Sequence, residues 1–326
     1  MNRTPSVPPV IQPLPPSGER PLWSVMIPTY NCAQFLTQTL ESVLAQNIPQ
    51  QEMQIEVVDD ASTDADVEAL VKRVGNGRIG YYRHPLNVGS LRNFETCINR
   101  AQGKLVHLLH GDDRVRAGYY KVLGQLFEDY PEAGAAFCRY QPVNEQNEPV
   151  PGLRSPEIAK PGLLKNWLLR ISERQRLQYV AITVKREVYE KLGAFYGINY
   201  GEDWEMWVRI AKHYPIAYTP EILAEYRKHM SSISGQKQLS GQYLRDAAYV
   251  IDLFQHHLPV ENRKAQRHKA RRHFAHYGII TANRIWKSSK DKAAVKTNLR
   301  QALVLNNDAV ICYRAAKVYI KMLINW

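Results

Sequence analysis

Val57-Val58-Asp59-Asp60-Ala61-Ser62-Thr63-Asp64 is the stretch that decides the fold. A short apolar run ends in two adjacent carboxylates, as a β-strand does when its C-terminal end opens into a polar loop. Leu108-Leu109-His110-Gly111-Asp112-Asp113 repeats the pattern further along the chain. Open α/β sheets bind their ligands just beyond the C-terminal ends of strands, so two acidic strand ends predict one shared cleft.

Working outward, Trp23-Ser24-Val25-Met26-Ile27 reads as a strand ended by Pro28, and Phe35, Leu36, Leu40, Val43 and Leu44 follow at helical spacing. Further strands are expected at 55–58, 79–83 and 104–109, with helical stretches between them. Strands separated by helices imply βαβ crossovers and a mainly parallel central sheet flanked by helices. The alternation lapses from about residue 142 to 161, then resumes as a strand-like run at 179–184 and a helix at 201–214, after which 218–226 leads into Arg227-Lys228-His229. Residues 1–21 carry seven prolines and are expected to be a disordered leader. From about residue 238 the chain reads as helices, giving three parts: a leader (1–21), an α/β domain (22–235) and a basic helical C-terminal region (236–326).

The formal charge of +12 is concentrated in the tail, where residues 241–326 hold 16 Lys and Arg against 5 Asp and Glu; the first 240 residues hold 27 and 26. Arg263, Lys264, Arg267, Lys269, Arg271 and Arg272 form a dense cluster. A last helix over 308–325 places Arg314, Lys317 and Lys321 on one stripe beside Val310, Ile311, Val318 and Leu323. Two readings stand: a peripheral seat on an anionic membrane, or helices packed on the domain with a solvated basic face. Nucleic acid is the weakest partner, because the tail has no reading motif and no aromatic stacking platform. No run of about 18 apolar residues and no signal-peptide pattern is present, so a cytoplasmic protein is expected, with the peripheral seat on the inner membrane face. Cys32, Cys97, Cys138 and Cys312 lack ligand or redox spacing and are expected to be reduced thiols.

Each acidic group also has a plain explanation. Capping accounts for one carboxylate of the 59–64 segment, with Asp64 a candidate cap for the helix after it. Two neighbouring acids exceed that need, which leaves Asp60 to accept from a nucleobase imide or a ribose hydroxyl. Asp112 and Asp113 after a glycine suit a hard divalent cation completed by phosphate oxygens, or an ordinary Asp-rich turn. Glu202 and Asp203 open a helix, where acids complement the macrodipole, and an acid in a cleft is also what a general base for a hydroxyl nucleophile requires. His229, after Arg227 and Lys228, is either a surface residue or part of a segment closing over phosphates.

In order and context these pieces resemble the family 2 glycosyltransferases of the GT-A fold. The resemblance is carried by Ser24-Val25-Met26-Ile27-Pro28-Thr29-Tyr30-Asn31, the 57–64 segment, Asn87-Val88-Gly89, Arg92-Asn93, Gly103-Lys104, His110-Gly111-Asp112-Asp113, Gly201-Glu202-Asp203 and Tyr226-Arg227-Lys228-His229. It implies a GT-A nucleotide-sugar-binding fold with a C-terminal helical extension, and an inverting transfer from a nucleoside-diphosphate sugar, most commonly a UDP-sugar. The acceptor would be a hydroxyl of a glycan or lipid-linked molecule in cell-envelope or exopolysaccharide synthesis. By the same resemblance Pro28, Thr29, Tyr30, Asp60, Asn87, Arg92 and Asp112 bind the donor nucleotide. Asp112 and His229 hold Mn²⁺ or Mg²⁺, Asp203 is the catalytic base, and Glu202, Trp204 and Arg227 contact diphosphate or acceptor. The chain departs from the family's DxD motif by placing His110 at its first position. That departure keeps an alternative open, a catalytically silent module that binds glycan or a partner enzyme.

Overall fold

All seven residues of β1 (Trp23–Thr29) are buried, which marks a central strand covered on both faces. The structure, a computed structural model, describes residues 2–15, 18–229 and 232–325. The other strands are β2 (Met53–Asp59), β3 (Gly80–Arg83), β4 (Leu105–Leu108), β5 (Arg114–Val115), β6 (Ala135–Val143), β7 (Gly162–Leu163), β8 (Ile182–Lys185) and β9 (Ile216–Arg227). The helices are α1 (Ala33–Leu44), α2 (Val67–Gly75), α3 (Ser90–Arg100), α4 (Tyr119–Asp129), α5 (Trp167–Glu173), α6 (Arg186–Leu192), α7 (Glu202–His213) and α8 (Ile233–Leu239). Four longer helices close the chain: α9 (Gln242–Leu253), α10 (Val260–Ser289), α11 (Lys292–Leu305) and α12 (Ala309–Leu323).

The strands form one sheet in the order β3-β2-β1-β4-β8-β6-β9-β5, with β7 against β9. β1 pairs in parallel with β2 on one side and β4 on the other, so the strand order reverses at β1. The two acidic loops therefore leave neighbouring strands at the switch point, the place such sheets reserve for ligands. Beyond β4 the expectation of a mainly parallel sheet gives way to a mixed one: β8 runs antiparallel to β4 and β6, while β6 and β9 are parallel. Pro28 does not end β1 as its lack of an N–H suggested. It stays in register opposite Val58, and its carbonyl accepts from the Gly111 N–H at 3.3 Å.

Contacts divide the chain into two compact units. The first, Met1–Lys165, Leu177–Asn199 and His213–Lys228, holds the sheet and a core that includes Val25, Ile27, Leu36, Leu40, Val57 and Leu109. The second, Asn166–Arg176, Tyr200–Lys212 and His229–Trp326, joins α5 and α7 with the C-terminal helices, so the acid-opened helix groups with them rather than with the sheet. Its core includes Tyr243, Ile279, Trp286, Val295, Leu299, Ile311 and Val318.

Residues 2–15 of the leader, where disorder was expected, are held by buried side chains and backbone hydrogen bonds. Within the first unit Ile11 is 0% exposed and Pro5 and Pro9 are buried. The Pro9 carbonyl accepts from Ala194 N–H at 2.9 Å, and the Pro5 carbonyl from Gly197 N–H at 2.8 Å. Arg186 donates to the Gln12 carbonyl at 2.9 Å. Prolines bar helix and ladder but keep their carbonyls as acceptors, and their fixed φ lowers the entropy lost when an extended segment is laid down.

Much of the basic cluster of the tail braces the second unit. Arg267 and Arg271 pair with Asp252 at 2.7 and 2.8 Å, Arg272 with Asp308 at 2.6 Å, and Lys269 with Glu173 at 2.8 Å. Among the described residues no helix is long and apolar enough to cross a membrane.

Candidate active site

The end of β1 ties both acidic loops together. Asp60 N–H donates to the Thr29 carbonyl at 2.9 Å and Leu109 N–H to the Met26 carbonyl at 3.0 Å. Gly111 packs against the same strand end, where a Cβ would come within 2.8 Å of Cys32 Sγ and 3.1 Å of Thr29 Oγ1, so only glycine lets the loop lie so close. Pro28 and Thr29 are buried here, while the Tyr30 ring is 52% exposed.

Asp59 and Asp60 divide their work. Asp59 is fully buried and builds the turn, accepting from Ser62 N–H at 2.9 Å, from the Tyr81 hydroxyl at 2.8 Å and from Arg83. Asp60 turns to the 87–89 loop, accepting from Val88 N–H at 2.7 Å and Gly89 N–H at 2.9 Å. Burial raises its carboxyl above the ordinary range, and those two N–H groups oppose the rise. Asn87 donates to the Asp60 carbonyl at 3.1 Å, so Asp60 and Asn87 meet, with Arg92 in the first turn of the α3 that follows. Asp64 does not cap α2, whose cap is Asp66; it accepts from Ala33 N–H at 2.9 Å and caps α1.

After β4, one ligand atom each from His110, Asp112 and Asp113 lies within 4.8 Å of the others. His110 is held by rings, stacked on Phe94 at 5.1 Å and tilted against Tyr179 at 4.4 Å. Burial lowers its pKa, which favours the neutral imidazole that ligates metals, and its Nε2 is buried without a hydrogen-bond partner among the described residues. A buried orphan nitrogen beside two carboxylates fits a divalent cation. His110 thus joins the cluster from the position where the DxD pattern has an acid.

Arg227 takes a different part from the expected diphosphate contact. It is 2% exposed, and its donors are consumed. Its N–H donates to Asp113 Oδ1 at 2.8 Å and its Nε to the Asp112 carbonyl at 2.8 Å. The remaining nitrogens donate to Asn147 Oδ1 at 2.7 Å and Gln38 Oε1 at 2.9 Å, with the guanidinium over the Phe35 ring. The planar fork straps the acidic loop to the sheet.

Asp203 lies in the first turn of α7 in the second unit and is only 9% exposed. Its Oδ1 accepts from Trp204 N–H at 2.7 Å and its Oδ2 from the Gln175 side-chain amide. Burial pushes its pKa up to about 6 against the pull of both donors, a value suited to a base working near neutrality. Glu202 is also buried. Trp204 is not an acceptor surface: it is 1% exposed, donates to the Ile171 carbonyl at 2.6 Å and packs against Phe254 and Phe274. A helix start crowded by aromatic rings buries its indole. His229 also lies in this unit, half-buried, and its carbonyl accepts from the Ser232 hydroxyl at 2.7 Å. Sequence reading missed Gln175, since nothing local links it to an acid 28 positions on.

The Glycosyl transferase family 2 pattern matches residues 24–193, from β1 through both acidic loops to α6. The chain belongs to that family. It is therefore a glycosyltransferase, an enzyme that transfers sugars. The chain is 27% identical over 238 residues to an uncharacterized protein of Mycobacterium tuberculosis, covering 65% of this chain and 69% of that one. It is 29% identical over 224 residues to the putative teichuronic acid biosynthesis glycosyltransferase TuaG of Bacillus subtilis, covering 67% and 83%. Among solved structures, Staphylococcus aureus TarS residues 1–349 in complex with UDP-GlcNAc aligns with a TM-score of 0.61 at 16% identity, covering 92% and 81%. The mannosyltransferase PcManGT of Pyrobaculum calidifontis in complex with GDP-Man and Mn²⁺ gives 0.54 at 18%, covering 96% and 89%. These likenesses establish the GT-A fold of this glycosyltransferase.

Proposed function

We propose that this glycosyltransferase is a cation-dependent, inverting enzyme that moves a sugar from a UDP-sugar to a hydroxyl of a cell-envelope polymer or lipid-linked acceptor. The observation that carries the reading is the convergence of His110, Asp112 and Asp113 in a loop tied to the end of β1, the strand end to which the Asp60 loop is also tied. The UDP-GlcNAc in TarS, the Mn²⁺ in PcManGT and the polymer named for TuaG support the donor, the cation and the acceptor class.

In this reading Pro28, Thr29, Tyr30, Asp60, Asn87 and Arg92 receive the nucleotide. His110, Asp112 and Asp113 would hold the cation, which supplies positive charge to the departing diphosphate. His229 keeps its assignment as a cation or diphosphate contact. Asp203 removes the proton of the acceptor hydroxyl as that oxygen bonds to the anomeric carbon, while the bond from that carbon to the diphosphate breaks and the configuration inverts. Gln175 and the Trp204 N–H hold the Asp203 carboxylate in one orientation. The test is transfer from UDP-sugars with Mn²⁺ or EDTA in wild type and Asp112→Ala; transfer insensitive to both EDTA and the substitution refutes the cation.

A peripheral seat on anionic lipid belongs to the same reading. Helix α12 buries Ile311, Ala315, Val318 and Met322, and leaves Tyr313 69%, Ile320 55% and Leu323 62% exposed beside Arg314, Lys317 and Lys321. An exposed apolar face edged by cations suits a bilayer surface. Co-sedimentation with phosphatidylglycerol vesicles at low salt tests it, and wild type left in the supernatant rejects it.

A further inference from the structure

The leader reaches the loop that the transferase reading gives to the nucleotide. Arg3 donates to Asn87 Oδ1, and the Asn2 carbonyl accepts from Arg92 Nε at 3.0 Å. Gly89, at φ +91°, lies against it: a Cβ there would come within 3.1 Å of Arg3 Nε. The Arg3 guanidinium also acts on Asp60, favouring its ionised form. Behind this tip the stem is fixed by buried Ile11 and by the hydrogen bonds of Pro5, Pro9 and Gln12. A cation set on a buried stem beside a carboxylate is a placed group, not a trailing end.

We infer that Arg3 is a donor-pocket residue, carried there by the leader to set a guanidinium donor beside the Asp60 acceptor; the inference rests on the transferase reading of Asp60, Asn87 and Arg92. Each Asp60 oxygen takes one backbone N–H and keeps a second lone pair. A carboxylate acceptor next to a guanidinium donor matches a base edge with a ring N–H beside a carbonyl oxygen. Uracil, thymine and guanine present that edge, whereas cytosine presents an unprotonated ring nitrogen there. The pair Asp60 and Arg3 therefore selects UDP over CDP, with the ring N–H donating to Asp60 and Arg3 donating to the neighbouring carbonyl.

The test is calorimetric titration of the full chain with UDP and with CDP, in wild type, Arg3→Ala and Arg3→Lys, alongside melting temperatures without ligand. Arg3 is exposed, so the unliganded variants are expected to melt with wild type. Arg3→Ala is expected to weaken UDP binding about ten-fold, the loss of one charge-assisted hydrogen bond, and to narrow the preference over CDP. Arg3→Lys is expected to recover part of both. Equal or tighter UDP binding by Arg3→Ala overturns the inference, as does a lowered melting temperature with an unchanged preference. A wild type that binds no nucleoside diphosphate overturns the transferase reading beneath it as well, and so separates the two failures.

Discussion

Asp203→Asn is expected to slow transfer sharply while making the folded protein more stable at neutral pH. Burial raises the Asp203 carboxyl from 3.8 to about 6, because desolvation outweighs the Trp204 N–H and the Gln175 amide. The folded state then binds this proton more tightly than the unfolded chain does. Relative to an uncharged side chain, wild type suffers no penalty below the unfolded pKa near 3.8, loses stability as pH climbs toward 6, and carries the full penalty above it. At 1.36 kcal/mol per pKa unit the penalty is at most about 3 kcal/mol. Asparagine never ionises and keeps one oxygen for the Trp204 N–H, while its NH2 takes the place of the second oxygen and the Gln175 amide must turn to accept from it, so its advantage should be absent near pH 3.5 and greatest near pH 8. Melting temperatures of both proteins across that range give the answer, with a gain of several degrees expected at the alkaline end. Equal melting at pH 8, or the same offset at every pH, would refute a base held charged at the expense of stability. Transfer should fall by about 10² to 10⁴ in the same variant, the usual contribution of a positioned base.

Gln175→Leu removes a donor to the charged form and should move the acid limb of kcat upward by about one pH unit, halving the rate near pH 7 and leaving it unchanged near pH 8.5. Arg227→Lys should unfasten the acidic loop, because an ammonium cannot span Asp112, Asn147 and Gln38 together; a loss of about 3 kcal/mol in urea unfolding and weaker cation-dependent nucleotide binding are expected, and wild-type values for both would refute the strap. Asp112→Ala, at a half-buried position, should keep its melting temperature yet lose the increment in nucleotide affinity that a divalent cation gives to wild type. His110→Phe should preserve the stacking on Phe94 and lower apparent cation affinity; unchanged affinity would leave the two acids alone in the role.

The parts of the fold written in local pattern were legible. Apolar runs ending in acids gave β2 and β4, an apolar run before Pro28 gave β1, and their helical separators gave parallel pairing around β1. What failed depended on contacts made at long range. The antiparallel β8 reaches β4 from far along the chain, after a region with no regular period. Among the described residues of the leader no helix or strand forms, in keeping with its prolines, while the expectation of disorder left out carbonyl acceptors and one buried isoleucine. In the candidate site Asp60 and Asp112 were visible because carboxylates at strand ends carry meaning by position. Trp204 and Arg227 were expected as ligand contacts from the resemblance, which carries no information on burial, and the structure places one among aromatic rings and the other against the acidic loop. Gln175 has no local signature at all.

Cation-dependent nucleotide binding tests the central claim most directly. UDP, GDP, dTDP and CMP, each with Mn²⁺, Mg²⁺ or EDTA, would be added to the purified protein while its melting temperature is followed. A ligand at about a hundred times its dissociation constant stabilises by about 2.7 kcal/mol, a shift easily resolved. UDP is expected to raise the melting temperature with Mn²⁺ or Mg²⁺, and to do so far less with EDTA or in Asp112→Ala. An equal shift with and without the cation would contradict the role given to His110, Asp112 and Asp113, and no shift with any nucleotide would contradict the donor site itself.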